Sequence, residues 1–373
     1  MKGKLFLLGL ILFGHKFCSI SSQKMSALPR LAVKDVGCDF SLIFWSLSSI
    51  RRTNSACKSA IKYYLFLMVS FVLFVPSQPS FALESKDRNL TFNSKGIGPK
   101  RKINVSTNGY PYAPLVQNAP KGTNMLNIYE CSSASKTPCP ALVYLHGGGL
   151  LRGDKSRVGL MPKLMNDNNY CLISVNYPVF GRPVEDLIEK QISEVSLATL
   201  WLENNLNNVK PNCTMKNASI MGHSAGAYLS ALLLTNPRFE LASSSYKTFI
   251  LNDSSWYSGR FLARHKESMR VIFGDNVKNL SGRKSLQNEW VPSVLVENYC
   301  PKRARATNIL VMYSSQRPKI QQQENSAFAM QLGACKNISA SISAHGYNHD
   351  AMRTSIGKPG SSTSGAIINA IRR

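Results

Sequence analysis

The chain has 373 residues, 44% hydrophobic, 17% charged and 9% aromatic. That is too apolar for a disordered protein, and it lacks the runs of roughly 20 apolar residues from which a membrane bundle is built. The 45 Lys and Arg outnumber the 20 Asp and Glu to give +25, while 24 Gly and 18 Pro exclude collagen-like and low-complexity classes. A charge of that size raises nucleic acid as a partner to be weighed.

Two short apolar runs lie near the start, residues 5–13 and 63–75, each behind a pair of lysines (Lys2 and Lys4, Lys58 and Lys62). Both are shorter than a spanning helix requires. After the second comes PSQPSFA, in which Ser80 and Ala82 fit the small positions of a signal-peptidase site. Residues 58–82 are therefore read as an export signal, with the mature chain starting near Leu83 and the protein periplasmic or secreted. The rival reading is an uncleaved anchor in the membrane. Residues 1–57 form an extension upstream, and an over-extended start is one reading of it, since a signal normally begins its chain.

Residues 83–373 keep 35 basic and 18 acidic side chains, a net +17, spread over clusters such as Lys100–Lys102, Arg260–Arg270 and Lys302–Arg305. No zinc-finger spacing or RNA-binding aromatic motif accompanies them. A dispersed basic surface fits solvation or attraction to an anionic envelope or polymer, and no specific nucleic-acid partner is expected. Six cysteines remain there: Cys131, Cys139, Cys171, Cys213, Cys300 and Cys335. An even count fits disulfides in an oxidising compartment. Cys131–Cys139 would close a short loop and Cys300–Cys335 would tie the entrances to two strands; six buried thiols are the alternative. No Cys or His spacing suits a metal, and no cofactor is expected. Seven Asn-x-Ser/Thr sequons (Asn89, Asn104, Asn212, Asn217, Asn252, Asn279, Asn337) matter only in a eukaryotic secretory pathway.

Residues 83–124, rich in Asn, Lys, Gly and Pro, read as an irregular lead-in to a domain over 125–373. Continuous apolar runs at 141–146 and 170–177 read as strands covered on both faces. Residues 184–205 repeat apolar side chains with helical spacing at Leu187, Ile192, Val195, Leu197, Leu200 and Leu202. A strand at 218–222 runs into a helix at 225–234. Strands at 247–252, 308–313 and 338–344 and a closing helix at 365–372 follow. This alternation predicts an α/β fold, a mostly parallel sheet with helices on both faces.

Two glycine motifs punctuate that pattern. Gly222-His223-Ser224-Ala225-Gly226 stands between a strand and a helix, where glycines let the two elements close around a strained turn that projects the serine hydroxyl. His146-Gly147-Gly148-Gly149 ends an earlier strand. Its backbone N–H groups, with that of Ala225, suit an oxyanion hole made by Gly147, Gly148, Gly149 and Ala225. His146 is read as a brace for the loop.

HGGG-LLRGDKS, NYPV and GHSAGA together resemble the α/β-hydrolase superfamily, in its HGGG-type esterase, lipase and arylformamidase-like group, over roughly residues 125–373. The resemblance implies an α/β-hydrolase fold, Ser224 as nucleophile, and a base and an acid later in the chain. The histidine is sought after the last strand, where His349 is preferred to His345. The acid departs from the pattern: the loop after strand 308–313, Ser314 to Lys319, has no carboxylate before Glu324. Asp253, one strand earlier, is the first choice and Glu324 the second, while Asp350 adjoins His349 too closely to orient it. Leu150 replaces the family's tryptophan after HGGG, which would change the pocket wall and weaken an arylformamidase assignment. The implied function is hydrolysis of a small carboxylic ester. The alternatives are a formamidase-like amide hydrolase and a silent binding protein on the same fold. A lid and acyl pocket are expected within residues 256–294.

Overall fold

The computed structural model describes residues 88–90, 103–105, 109–132, 137–258, 273 and 288–373. These lie within one compact unit, Leu83–Arg373. The expected extension and export signal, the clusters at 100–102 and 260–270, Asn279 and most of the expected lid lie outside the described residues.

The apolar runs become strands because each can bury both faces. Strands β1 (Arg88–Leu90), β2 (Ile103–Val105), β3 (Tyr110–Pro111), β4 (Met125–Tyr129), β5 (Cys139–Leu145) and β6 (Cys171–Val175) precede the serine. They are followed by β7 (Cys213–His223), β8 (Tyr246–Asn252), β9 (Thr307–Ser314) and β10 (Ile338–His345). The sheet order is β1-β2-β4-β6-β5-β7-β8-β9-β10, with β3 paired to β4. From β6 to β10 every pairing is parallel, whereas β4 runs antiparallel to β6. β1, β2 and β3 fall in the stretch whose composition reads as irregular; strands of two or three residues are too short to show a period.

Alternate side chains of each strand enter opposite cores. Val143 and Leu145, Phe249 and Leu251, and Ile309 and Val311 pack on one side of the sheet. Leu142 and Tyr144, Ile250, and Leu310 and Met312 pack on the other. Helices α1 (Met161–Asp167), α2 (Leu187–Val209), α3 (Ala225–Thr235), α4 (Pro292–Asn298), α5 (Lys319–Gly333) and α6 (Ser362–Arg372) cover the two faces. The first core takes α2, α3 and α5, and the second takes α1 and α6.

In α2 the buried stripe is Leu187, Ile188, Ile192, Val195, Ala198, Leu202 and Leu206. Leu197, expected on that stripe, is 44% exposed instead. Steps of three and four residues from Val195 lead to Ala198, Leu202 and Leu206, which leaves position 197 on the outer side. α3 is buried along its whole length, as a helix wedged between the sheet and its neighbours must be.

Three disulfides staple the unit: Cys131–Cys139, Cys171–Cys213 and Cys300–Cys335. The second bridges β6 and β7 across β5, which lies between them. Among the described residues no helix is long and apolar enough to cross a membrane.

Candidate functional site

The site lies at the C-terminal ends of β5, β7, β8, β9 and β10. Ser224 joins β7 to α3 with φ 55 and ψ −117, a conformation that non-glycine residues hold only when their surroundings impose it. The flanking glycines show what imposes it. A Cβ on Gly222 would lie 2.1 Å from the carbonyl oxygen of Gly226, and one on Gly226 would lie 2.2 Å from that of Leu145. The Ser224 N–H donates to the carbonyl of Asn252 at 2.9 Å.

His349 follows β10 on a loop tied down from two sides. Asn348 Oδ1 accepts the N–H of Ala351 at 2.8 Å, and Asn252 Nδ2 donates to the carbonyl of Met352 at 3.0 Å. Nε2 of His349 stands 3.1 Å from Ser224 Oγ, and Nδ1 stands 2.6 Å from Asp253 Oδ2. Asp253, at the end of β8 with φ 57, is 1% exposed. Burial opposes its ionisation, but the bonds from His349 and from the Ser314 N–H (3.0 Å to Oδ1), with the charge of Arg317, outweigh it. The carboxyl is held below its ordinary range and is an anion at neutral pH. A carboxylate can only accept there, so His349 Nδ1 carries the proton and Nε2 is free to accept from Ser224 Oγ.

His223 packs beneath this chain of bonds. Its ring stacks on that of His349 with centroids 4.8 Å apart, and its Nε2–H donates to the His349 carbonyl at 3.1 Å. Burial first, and the neighbouring His349 second, push its pKa down to about 3, so it stays neutral.

The glycine loop after β5 closes over the serine. A Cβ on Gly147 would lie 3.1 Å from that of Ser224. Gly148 (φ 136), Gly149 (φ 63) and Leu150 (φ 66) are successive residues with positive φ, a path that two glycines make accessible. The N–H groups of Gly148, Gly149 and Ala225 have no acceptor among the described residues. Ala225 opens α3, where backbone N–H groups are unpaired and the helix dipole is positive. His146 stacks on Tyr177 at 4.3 Å, and its carbonyl accepts the Tyr177 hydroxyl at 2.7 Å. Burial lowers its pKa to about 4. Asn176 steadies the following turn, accepting from the Lys155 N–H at 2.6 Å and donating to Asp154 Oδ2 at 3.0 Å.

The remaining sequence candidates lie elsewhere. His345 is buried between Ser343 Oγ (2.9 Å) and Ser362 Oγ (2.8 Å). Glu324 sits buried on α5, with no contact to His349 among the described residues. Leu150 is fully buried in the core and its carbonyl accepts from Gln191 Nε2 at 2.6 Å, so it is no pocket wall. The positive φ at this position turns its side chain inward. Within the expected lid, Tyr257 stacks on Phe328 at 4.8 Å and the Trp290 carbonyl accepts the Tyr228 hydroxyl, so both are core. Among the sequons, Asn252 is buried at the site and holds the His349 loop. Among the described residues no cluster of His, Cys, Asp or Glu could hold a metal ion.

Comparison with known proteins agrees with this architecture. The family model described as BD-FAE matches residues 126–257, the span that carries the glycine loop, the serine turn and Asp253. An inhibited esterase B of Lactobacillus rhamnosis (C6-C4 SN3) superposes over 85% of this chain and 96% of that one, with a TM-score of 0.52 and 13% identity. The chain has an α/β-hydrolase fold. Looser likenesses are an esterase of Pyrobaculum calidifontis (TM-score 0.49, 17% identity, 68% of this chain and 82% of that one) and a thermostable esterase of Pseudomonas putida (0.45, 16%, 77% and 80%). No curated protein matches the chain.

On this fold two neighbours of the serine and histidine were not singled out from the sequence. His223 stands inside the serine motif, so its place was marked though its stacking was not. Arg317, whose guanidinium reaches both Asp253 and His349, lies in the loop that was searched only for an acid.

Proposed function

We propose that the protein is a serine hydrolase acting on small carboxylic esters. The observation that carries this reading is the hydrogen-bonded series Ser224 Oγ, His349 Nε2, His349 Nδ1, Asp253 Oδ2, with steps of 3.1 and 2.6 Å, set at a strained strand-to-helix turn. Ser224 Oγ attacks the ester carbonyl as His349 Nε2 takes its proton. The resulting imidazolium is stabilised by Asp253, which stays ionised. N–H groups of Gly148, Gly149 and Ala225 receive the oxyanion, and one such donor is worth about 3 kcal/mol. The imidazolium then returns the proton to the leaving alcohol. Water, deprotonated by the same nitrogen, frees the acyl group from the serine.

The same reading assigns catalysis to residues 125–373 and export to the signal at 58–82. Pairing of all six cysteines downstream of that signal supports an oxidising compartment. The test is hydrolysis of short- and medium-chain p-nitrophenyl esters by the protein and by Ser224→Ala, with fluorophosphonate labelling of both. Turnover and labelling that vanish together in the variant are expected. An inert, unlabelled parent protein would transfer the site to a binding role.

A further inference from the structure

Arg317 lies in the loop between β9 and α5 and spends its guanidinium on Asp253. Nε is 3.3 Å from both carboxylate oxygens, and Nη2 is 3.2 Å from Oδ2 and 3.3 Å from the Asp253 backbone carbonyl. The loop that delivers it is itself fastened. The Arg317 N–H donates to the Ser314 carbonyl at 3.1 Å. Gln322 Nε2 donates to the carbonyls of Arg317 (2.7 Å) and Ser315 (2.9 Å).

We propose that Arg317 is the positioning residue of the acid, pinning the Asp253 carboxylate so that Oδ2 faces His349. This rests on the ester-hydrolase reading above. Without Arg317 the carboxylate keeps, among the described residues and besides the His349 it must orient, one donor, the Ser314 N–H on Oδ1, about which its plane can turn. A guanidinium gripping both oxygens and the backbone carbonyl fixes that plane, which a point-charge ammonium cannot do. The loop after β9 has no carboxylate of its own, and it still serves the histidine by holding an acid from the neighbouring strand.

One contact works against this role. Nη2 also stands 2.5 Å from His349 Nδ1. With the proton on Nδ1 that is an approach of two donors, and the arginine charge opposes the imidazolium that forms in the reaction. The other charged or titratable groups near His349 among the described residues are Asp350 beside it, Arg353 in the short helix Ala351–Thr354 that follows, and His223, which burial keeps neutral. Orientation outweighing this repulsion predicts that kcat falls when Arg317 is removed, and repulsion outweighing orientation predicts that it rises.

The test uses the full-length protein with p-nitrophenyl butyrate, and compares Arg317→Ala, Arg317→Lys and Asp253→Asn. Arg317→Ala is expected to lower kcat about 10- to 100-fold at unchanged KM, the scale of a misplaced catalytic group. Millimolar guanidinium is expected to restore part of the loss in Arg317→Ala and none in Asp253→Asn. Arg317→Lys, which keeps the charge without the fork, is expected to stay below the parent. The far-downfield proton resonance of the His349–Asp253 bond, which needs no turnover to be seen, is expected to weaken in Arg317→Ala. An unchanged or higher kcat in Arg317→Ala, or a parental rate in Arg317→Lys, overturns the proposal. If the parent protein shows neither turnover nor serine labelling, the ester reading alone fails. The resonance then decides the positioning role: weakened in Arg317→Ala it stands, unchanged it falls.

Discussion

Replacing Asp253 by Asn separates the acid from every other part of the site. The exchange keeps shape and volume, and the amide oxygen can still accept the Ser314 N–H that now reaches Oδ1 at 3.0 Å. The amide NH2 then meets His349 Nδ1, where a carboxylate stood at 2.6 Å. A donor in that place favours the tautomer with the proton on Nε2, which can donate to Ser224 but cannot take its proton. The negative charge that would face the imidazolium is lost as well. Unit charges about 4 Å apart attract by about 4 kcal/mol at the effective dielectric of a protein surface. His349 is 36% exposed, so water screens part of that. Screened to about 3 kcal/mol this is a little over a hundredfold in rate, and adding the tautomer penalty carries the expected loss in kcat to about 10³–10⁴. KM should stay within a factor of about two, since Asp253 is buried beneath His349 and away from the acyl group. The assay is p-nitrophenyl butyrate hydrolysis beside Glu324→Gln, which should keep its activity. Asp253→Asn retaining more than about a tenth of parental kcat would refute the reasoning, and a large loss in Glu324→Gln would move the acid to α5.

Gly226→Ala puts a methyl group 2.2 Å from the Leu145 carbonyl oxygen; the strand and helix must part, and both thermal stability and ester turnover should collapse together, as scanning calorimetry and the same assay would show. Stability should also depend on pH through the two buried neutral histidines. His146 and His223 have folded pKa values of about 4 and about 3, below the ordinary 6.5. The unfolded chain therefore binds more protons, and their contribution is full above about pH 6.5 and lost as pH falls. Each adds about 1.4 kcal/mol per pH unit to the slope between about pH 5.5 and 4.5. Urea titrations over that range should lose one such increment in His146→Gln, and an unchanged slope would mean that His146 is not buried in neutral form. Removing the Cys171–Cys213 bridge, whose ends are 42 residues apart, should cost about 4 kcal/mol by loop-closure entropy. For Cys131–Cys139, 8 apart, the figure is about 2.5 kcal/mol. Paired Cys→Ala variants in denaturant titrations would test the ranking, and the reverse order would contradict it.

The parallel strands bring Ser224, Asp253 and His349 together because of how they end. Each leaves the sheet at its C-terminal edge, so turns after β5, β7, β8, β9 and β10 converge on one rim although they are far apart in the chain. Ser224 and His349 are separated by 125 residues, and His349 and Asp253 by 96. A site assembled in this way tolerates an acid moved from one strand end to the next, since neighbouring ends reach the same imidazole.

Much of this was legible in residue order alone. Runs such as Ala141–Leu145 and Thr248–Asn252 declare strands buried on both faces, because only such strands lack polar alternation. The serine turn and glycine loop were legible because their geometry depends on residues two positions away: Gly222 and Gly226 are glycines since a Cβ has nowhere to go. Leu197 and Leu150 were misread because which way a side chain faces depends on neighbours distant in sequence and, at Leu150, on a positive φ that its own residue type does not announce. Asp253 was reached only as a choice over Glu324 and two of the three cysteine pairs were suggested, whereas Cys171–Cys213 and the reach of Arg317 carried no local mark. The Asp253–His349 and Cys171–Cys213 contacts, and those of Arg317 with Asp253 and His349, join residues 32 to 96 positions apart, fixed only once parallel strands had brought their ends together.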